Sequence, residues 1–529
     1  MSETMTDPEK TTNITAPMEK VDGNHAPPME EALVKTHTRH LSGDTLVDGG
    51  LEIQKPKLKE MTEDLKVPQP AIDLEAQTVI GEQKRFSTIR FAFFTIYRRL
   101  FTIVALVNVA TFIYVMISDQ KLLALVNATA ANLLACGLAR QPLVVNTIFF
   151  VVCSIPRSAP FWLRRFCSQA YHYGGVHSGC GIASLLWYLG FVGLLSHQYW
   201  SPGPVDASTV QFTAAPIVLT YIILVLLLLI ITVAHPKFRM KRHDYFELTH
   251  RFTGWAVVAM FVALLLVFCY EISSAEGKNM GLFVVELPAF WFLVVTVVAI
   301  IHPWILLRKV PVKAENLSNH AVRLHFDHAQ TAFGKGIQLA KHPLRDWHGF
   351  ATFKDQGAEG PRGHQTRRGH RRGPSFSCLV SKAGDWTGDS IRAPPTHFWK
   401  RGVLIFGFAY AMRVYKRLIV VTTGSGIGPC LSFIGDEKRP DLRVMWQTRS
   451  PLTTYGQDVI DLTKIMDPNP MILDTNLTGR IDMVPIIQRQ FQEFEAEAVC
   501  VVSNPRLTQR IVFELESRGI PAFGPIFDS

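Results

Sequence analysis

The sequence predicts a six-helix transmembrane domain followed by a cytosolic β-barrel and an α/β domain, and three observations predict it. Apolar runs dominate residues 86–308, whereas 1–85 are polar and 309–529 have the balance of a soluble protein. Lysine and arginine gather on one side of those runs. Beyond Lys309 the pattern changes to short alternating strands, and beyond Arg417 to strands alternating with helical stretches around a glycine-rich turn.

Composition agrees with this division. The 529 residues are 48% hydrophobic and only 19% charged, a balance that leans toward membrane proteins. The net charge of +10 lies beside apolar runs or in one Arg/Gly tract, so it reports membrane topology and not nucleic acid. Eight cysteines without a C-x-x-C spacing fit reduced thiols and exclude a disulfide scaffold. Residues 1–85 lack the apolar core of a signal peptide and are too poor in aromatic and β-branched residues to fold alone. They read as a disordered cytosolic tail.

A helix needs about 20 apolar residues to cross a bilayer. Five runs supply them, at 98–117, 177–197, 214–234, 250–270 and 284–306. A sixth, at 130–153, is interrupted by Arg140 and reads as one tilted helix carrying a buried arginine, either a structural ion or part of a substrate path. With six spans, one set of loops holds Arg98, Arg99, Arg157, Arg164, Arg165, Lys237, Arg242 and Arg308, and the other only Lys121 and Lys278. Positive loops stay in the cytoplasm. A multi-pass protein with both termini in the cytosol follows, surrounded by lipid, with the plasma membrane its expected site.

His177 and His250 each open a long apolar helix. One span separates these helices, so both rings lie at the same depth near the cytosolic face. Two readings stand: helix-end residues satisfied by water or backbone, or the axial pair of one haem b.

In the soluble part, period-two segments at 310–312, 321–326 and 349–353, punctuated by Gly and Pro, indicate small antiparallel strands of a barrel. The apolar strand 418–422 runs into Gly424-Ser425-Gly426-Ile427-Gly428-Pro429, then a helix-like segment, then a strand at 442–446. Glycine clusters also make ordinary turns. Between a buried strand and a helix, however, they let the backbone approach a pyrophosphate, and the helix N-terminus favours the anion.

These residues carry a family resemblance. Residues 424–429 resemble the nicotinamide-site loop of the ferredoxin-NADP reductase superfamily, in its ferric reductase and NADPH oxidase branch. Gly384-Asp385-Trp386-Thr387 resembles a Gly-Asp-Trp-Thr element of that branch. Residues 347–352 stand where the branch has His-Pro-Phe-Thr, with Gly349 for the proline and an extra residue before Thr352. Together with 317–324, Val502-Ser503-Asn504-Pro505 and the ending 519–529, the sequence looks closest to the fungal TmpA-like membrane flavoproteins. These are divergent relatives of ferric reductases linked to conidiation and secondary metabolism.

The resemblance implies FAD at His348, Phe350, Thr352 and Gly384, Asp385, Trp386, Thr387, whose following N–H groups face the pyrophosphate. It implies NADPH or NADH at Gly424, Ser425, Gly426, Ile427, Gly428 and Pro429, with Ser503 and Asn504 in place of the usual Cys-Gly pair. Arg449 meets the adenosine phosphate or is a solvated arginine. Phe527 shields the flavin or merely packs. The implied domains are a tail at 1–85, a membrane domain at 86–308, an FAD-binding barrel at 309–412 and an NAD(P)-binding domain at 413–529. An Arg/Gly/His tract at 357–374 interrupts the barrel, either as a basic phosphate-binding loop or as an insertion, including a gene-model artefact.

The branch carries a second histidine four turns along each haem helix. Here those stretches read Leu189-Gly190-Phe191 and Val262-Ala263-Leu264, so an outer haem has no ligands. The implied activity is electron passage from NAD(P)H to FAD and on to an unknown acceptor. The rivals are a transmembrane ferric reductase or NADPH oxidase with haem, and a non-catalytic membrane signalling protein that keeps a nucleotide-binding fold.

Overall fold

Long helices are built from the apolar runs, and the last of them leads directly into a sheet. The computed structural model describes residues 95–118, 121–201, 210–355, 376–435 and 439–525. The tail 1–85, the tract 357–374 and Phe527 lie outside the described residues. The helices are α1 (Ile96–Ser118), α2 (Leu122–Leu138), α3 (Pro142–Cys153), α4 (Gly174–Trp200), α5 (Ala214–Val233), α6 (His243–Ala275) and α7 (Pro288–Ile305). Among the described residues five helices are long and apolar enough to cross a membrane, or six if the bent pair α2–α3 counts as one span.

That pair corrects the sequence reading. Residues 130–153 do not form one tilted helix: α2 and α3 meet at 72°. Pro142 explains the break, since it has no N–H and its ring excludes the carbonyl four residues back. Gln141 then caps the new helix, its Oε1 accepting from Leu143 N at 2.6 Å and Val144 N at 3.1 Å. Arg140 sits at the break and is exposed, not buried. α3 packs its inner face on the soluble part: Val145, Phe149 and Cys153 join one core with Tyr410, Leu418 and Trp446. Asn146 seals the contact, donating to Leu404 O (2.9 Å) and accepting from Phe406 N (2.8 Å). The 17 residues of α2 reach the low end of a spanning length by themselves.

Helix packing uses small residues and shared polar groups. Gly175 and Gly179 bring α4 against α1; a Cβ on Gly175 would lie 2.4 Å from Tyr97 O. Asn108 Oδ1 accepts from Asn132 Nδ2 (2.9 Å) and Trp187 Nε1 (2.8 Å), tying α1, α2 and α4 together.

The soluble part starts with a sheet of eight strands: β1 (Arg308–Pro311), β2 (Lys313–Asn316), β3 (Ala321–Phe326), β4 (Lys335–Ala340), β5 (His348–Lys354), β6 (Phe376–Ser381), β7 (His397–Lys400) and β8 (Ile405–Phe406). Their order is β1-β7-β4-β5-β6-β3-β2, with β8 on β4, and every pairing is antiparallel. The outermost strands β1 and β2 are consecutive in the chain, so the sheet is a nearly closed barrel. Val322, Leu324, Phe326, Phe376, Cys378 and Val380 fill one face, as the alternation of side chains along strands requires.

The second sheet has β9 (Arg417–Thr423), β10 (Asp441–Thr448), β11 (Met471–Asp474), β12 (Ala498–Val502) and β13 (Ala522–Phe523). All its pairs are parallel, in the order β11-β10-β9-β12-β13. Strand order therefore reverses between β9 and β12, and ligands of open α/β sheets bind beyond the carboxyl ends of strands at such a point.

Candidate functional site

Thr423 ends β9 and Ser503 follows β12, and their hydroxyls hydrogen-bond across the switch point. Thr422 Oγ1 donates to Val502 O at 2.9 Å. The glycine turn and Ser503-Asn504, 80 residues apart in sequence, are thus neighbours at the ligand edge.

The glycines of the turn divide their work. Gly424 has φ +49°, and nothing stands within 4 Å of where its Cβ would be. This is the position that requires glycine for its backbone and leaves room for a ligand; its carbonyl accepts from Trp446 Nε1 at 3.0 Å. Gly426 has φ −62°. A Cβ there would meet Val502 O at 2.3 Å and Thr422 Oγ1 at 2.5 Å, so Gly426 serves the close packing of the turn on β12. Ile427 and Gly428 are buried, and Gly428 lies against Leu379 of β6. Ile427–Cys430 is a single turn of helix followed by a 3-10 turn. That is shorter than the sequence suggests, and so short a helix adds little to binding of an anion.

Arg449 lies exposed just past β10. Asn504 Oδ1 accepts from Leu507 N at 3.0 Å and caps the helix Pro505–Ser517. Cys430 and Cys500 are fully buried; burial pushes the Cys430 thiol up to about 12 and Cys500 well above its ordinary range, so neither is a thiolate nucleophile.

On the barrel, the structure brings His348, Phe350 and the 384–387 turn together. The indole of Trp386 lies 4.4 Å from the ring of His348 and stacks on Phe350 at 5.7 Å. Lys341 sits over the other part of the indole, 5.2 Å from its centroid. Trp386 is therefore the ring that joins His348, Phe350 and Lys341 into one cluster, and both it and Phe350 are half-buried. Thr352 is buried and internally satisfied, bonding Thr331 at 2.5 Å and Lys335 O at 2.9 Å. Thr387 Oγ1 accepts from Ala383 N (2.8 Å) and Gly384 N (3.0 Å), which shapes the turn into the helix Asp385–Arg392. The first-turn N–H groups of that helix have no partner within it. They open on a cavity of about 400 Å³ lined by Lys382, Ala383, Gly384, Asp385, Gly388 and Arg392. Lys382 and Arg392 set two cations against the one carboxylate of Asp385, Arg392 also pairing with Asp389 at 3.3 Å, and the helix start adds N–H donors; this set can hold a phosphate group such as that of FAD.

The two half-sites meet at a residue that the sequence reading gave no role. His320, on the turn between β2 and β3, places Nε2 3.0 Å from Ser425 Oγ in the glycine turn. Its carbonyl accepts from Lys382 N at 2.8 Å, beside the barrel cavity. Nothing in local periodicity marks a histidine whose partners lie 62 and 105 positions away.

His177 and His250 stand with ring centroids 6.1 Å apart. His177 Nδ1 is 3.0 Å from Cys136 O, while His250 Nδ1 is buried without a hydrogen bond. Toward the far end of α4 and α6, Tyr188, Phe191, Phe261, Leu264 and Phe268 fill the space between the helices. Phe191 and Phe268 pack edge to face at 5.6 Å. These side chains occupy the stretch where the second histidine pair of the resembled branch would stand.

Comparison with known proteins adds relatives of matching sequence. A family model described as the C-terminal domain of adenylate-forming reductase 03009 matches residues 408–529. Adenylate-forming reductase 03009 of Coprinopsis cinerea is 39% identical over 442 residues, 83% of this chain and 41% of that protein. Adenylate-forming reductase 06235 of the same fungus is 38% identical over 443 residues, again 83% of this chain and 41% of its own length. The chain thus spans well under half of these relatives. Among solved structures, ferredoxin-NADP+ reductase from Plasmodium falciparum aligns with 42% of this chain and 96% of its own, at 12% identity and a TM-score of 0.30. The CS-b5R domains of human Ncb5or in the NAD+ form align with 42% and 69%, at 12% identity and a TM-score of 0.31.

Proposed function

We propose that this chain is a membrane-embedded, FAD-dependent NAD(P)H oxidoreductase whose two cofactors meet where the barrel abuts the switch point of the parallel sheet. One observation carries the reading: at the strand reversal nothing stands within 4 Å of the Cβ position of Gly424, and His320 links that turn to the cavity at Lys382 and Gly384. Flavin and nicotinamide, when bound, supply the redox chemistry. The chain's residues hold and orient them: Lys382, Arg392 and the 384–388 backbone at the FAD phosphates, Trp386 along the cofactor, the 423–426 turn at the dinucleotide and Arg449 near its adenosine end. Reductase is also what the two fungal relatives are called.

In this reading the helices span the bilayer, with both termini, α3 and the soluble part on the cytosolic side. Arg164 and Arg165, assigned to that side by their charge, bind the parallel-sheet domain, which supports the orientation. Electrons pass to an acceptor still to be identified. The finer family reading is a TmpA-like flavoprotein of fungal conidiation or secondary metabolism, and it rests on the motifs at 317–324, 383–387, 423–430, 502–505 and 519–529. A second reading adds one haem b between His177 and His250, favoured by their approach to 6.1 Å; a ligating imidazole commonly gives its other nitrogen to a backbone carbonyl, as His177 does to Cys136.

An absorption spectrum of the detergent-purified protein, followed by anaerobic addition of NADPH or NADH, tests the proposal. Flavin bands bleached by nicotinamide support it, and additional haem bands support the second reading. Protein that binds no flavin overturns it in favour of a signalling role.

A further inference from the structure

The β2–β3 turn of the barrel reaches across to the parallel-sheet domain at the ligand edge. Ser318 Oγ donates to Thr454 O at 2.6 Å and accepts from His320 N at 3.0 Å. Leu317 lies 3.9 Å from the Cβ position of Gly456, where the helix Pro451–Met466 is kinked at φ +78°. His320 therefore projects from a turn held at both ends. Its Nε2 meets Ser425 Oγ, and that hydroxyl is 3.3 Å from Tyr455 OH. Tyr455 in turn faces the imidazole edge-on at 6.0 Å. Ser425 lies between Gly424, which leaves the cleft open, and Gly426, which is fixed on β12. The Ser425 hydroxyl is thus held between a side chain from the other domain, at 3.0 Å, and Tyr455 of its own, at 3.3 Å.

We propose that His320 is a positioning residue of the dinucleotide site, contributed by the flavin half: it fixes Ser425, so the turn takes its binding shape only when the barrel and the parallel-sheet domain are docked. The inference rests on reading the glycine turn as a dinucleotide site, and it adds the dependence of that site on the barrel. One consequence is economy of reaction. Nicotinamide nucleotide is held well only where the flavin half is docked beside it.

The test uses full-length protein in detergent and NADP+ as the probe, with binding followed by calorimetry and hydride transfer by anaerobic flavin reduction. His320→Ala and Ser425→Ala each raise the NADP+ dissociation constant about tenfold, the scale of one hydrogen bond in a partly buried site. The double variant is no more than about twofold weaker than either single one, because both remove the same contact. His320→Gln, which keeps a side-chain hydrogen bond, stays within about threefold of the parent. The limiting rate of flavin reduction and the FAD content change little. Unaltered affinity in His320→Ala, or additive loss in the double variant, overturns the proposal. So does a general fall in melting temperature and FAD content that His320→Gln fails to restore, since that marks a purely structural residue. If the parent protein itself binds neither NADP+ nor NAD+, the dinucleotide reading has failed, and this inference falls with it before any variant is compared.

Discussion

Arg164 and Glu497, 333 positions apart, form a two-pronged ion pair at 2.7 and 2.9 Å between the short helix Phe161–Cys167 and the parallel-sheet domain. The arginine also donates to Ala159 O and Val414 O, and Glu497 also accepts from Lys416 N at 2.6 Å. Lys416 and Glu497 precede β9 and β12, so this helix grips the amino ends of the strands and leaves the opposite edge, where the dinucleotide is proposed to bind, free. Arg165 repeats the contact on Glu516 at 2.6 Å.

Removing one member of this buried pair leaves the other uncompensated. Arg164→Met is expected to destabilise the soluble part by roughly 2–4 kcal/mol. Arg164→Met with Glu497→Leu recovers much of that loss. Thermal melting of the single and double variants checks it; equal loss in both would show that the pair carries no such charge penalty.

Gly424 and Gly426 are expected to fail in different ways. Gly426→Ala drives a methyl into the Val502 carbonyl and Thr422 hydroxyl, so melting temperature drops, by a few kcal/mol equivalent. Gly424→Ala meets open space and costs only about 1 kcal/mol of backbone strain, but it places a methyl in the cleft. NADP+ affinity then falls with little change in melting. Parallel melting and titration curves separate the two, and loss of stability without loss of affinity in Gly424→Ala would move the ligand elsewhere.

Deleting 357–374 is expected to leave melting and flavin content unchanged. β5 and β6 are direct antiparallel partners, with Lys354 opposite Phe376, so the deletion joins them by a hairpin of ordinary length. Flavin loss in the shortened protein would make the tract part of the site.

At the base of that hairpin, Asp355 binds Arg323 (2.8 Å), His325 (3.2 Å) and Ser377, and His325 also reaches Glu315 (3.0 Å). Burial by itself would raise the Asp355 carboxyl, but the His325 and Ser377 hydrogen bonds and the Arg323 charge outweigh it and hold it at about 2. Its stabilising contribution is thus present above about pH 4, its unfolded range, and is lost as pH falls toward 2. The Asp355 hydrogen bond raises His325, against the cost of burial. That contribution is full below about pH 6.5 and fades as pH rises through the raised value. Barrel stability therefore peaks between these limits. Melting against pH should show both limbs, and His325→Gln should remove the alkaline one. A flat profile would mean that the cluster is not coupled to folding.

Local pattern made much of this protein legible. Apolar run lengths marked the long helices, because a spanning helix must bury about 20 residues in a row. Period-two alternation located β3 and β5, and the apolar strand before Gly424 located β9, since each depends only on neighbours in sequence. The same reasoning missed the break at Pro142. A proline inside an apolar run bends or ends a helix according to what its far half packs against, and here that partner is Tyr410 and Leu404, more than 250 positions away. Nor could it show that Gly426 is packed so closely on β12 that an added Cβ would meet the Val502 carbonyl and the Thr422 hydroxyl. The sequence by itself determined which segments are helix, barrel and nucleotide fold. Only the tertiary structure decided that β12 lies beside β9, that Trp386 covers Phe350 and that His320 reaches Ser425, because those contacts join residues that share no local period and meet only once the chain has packed.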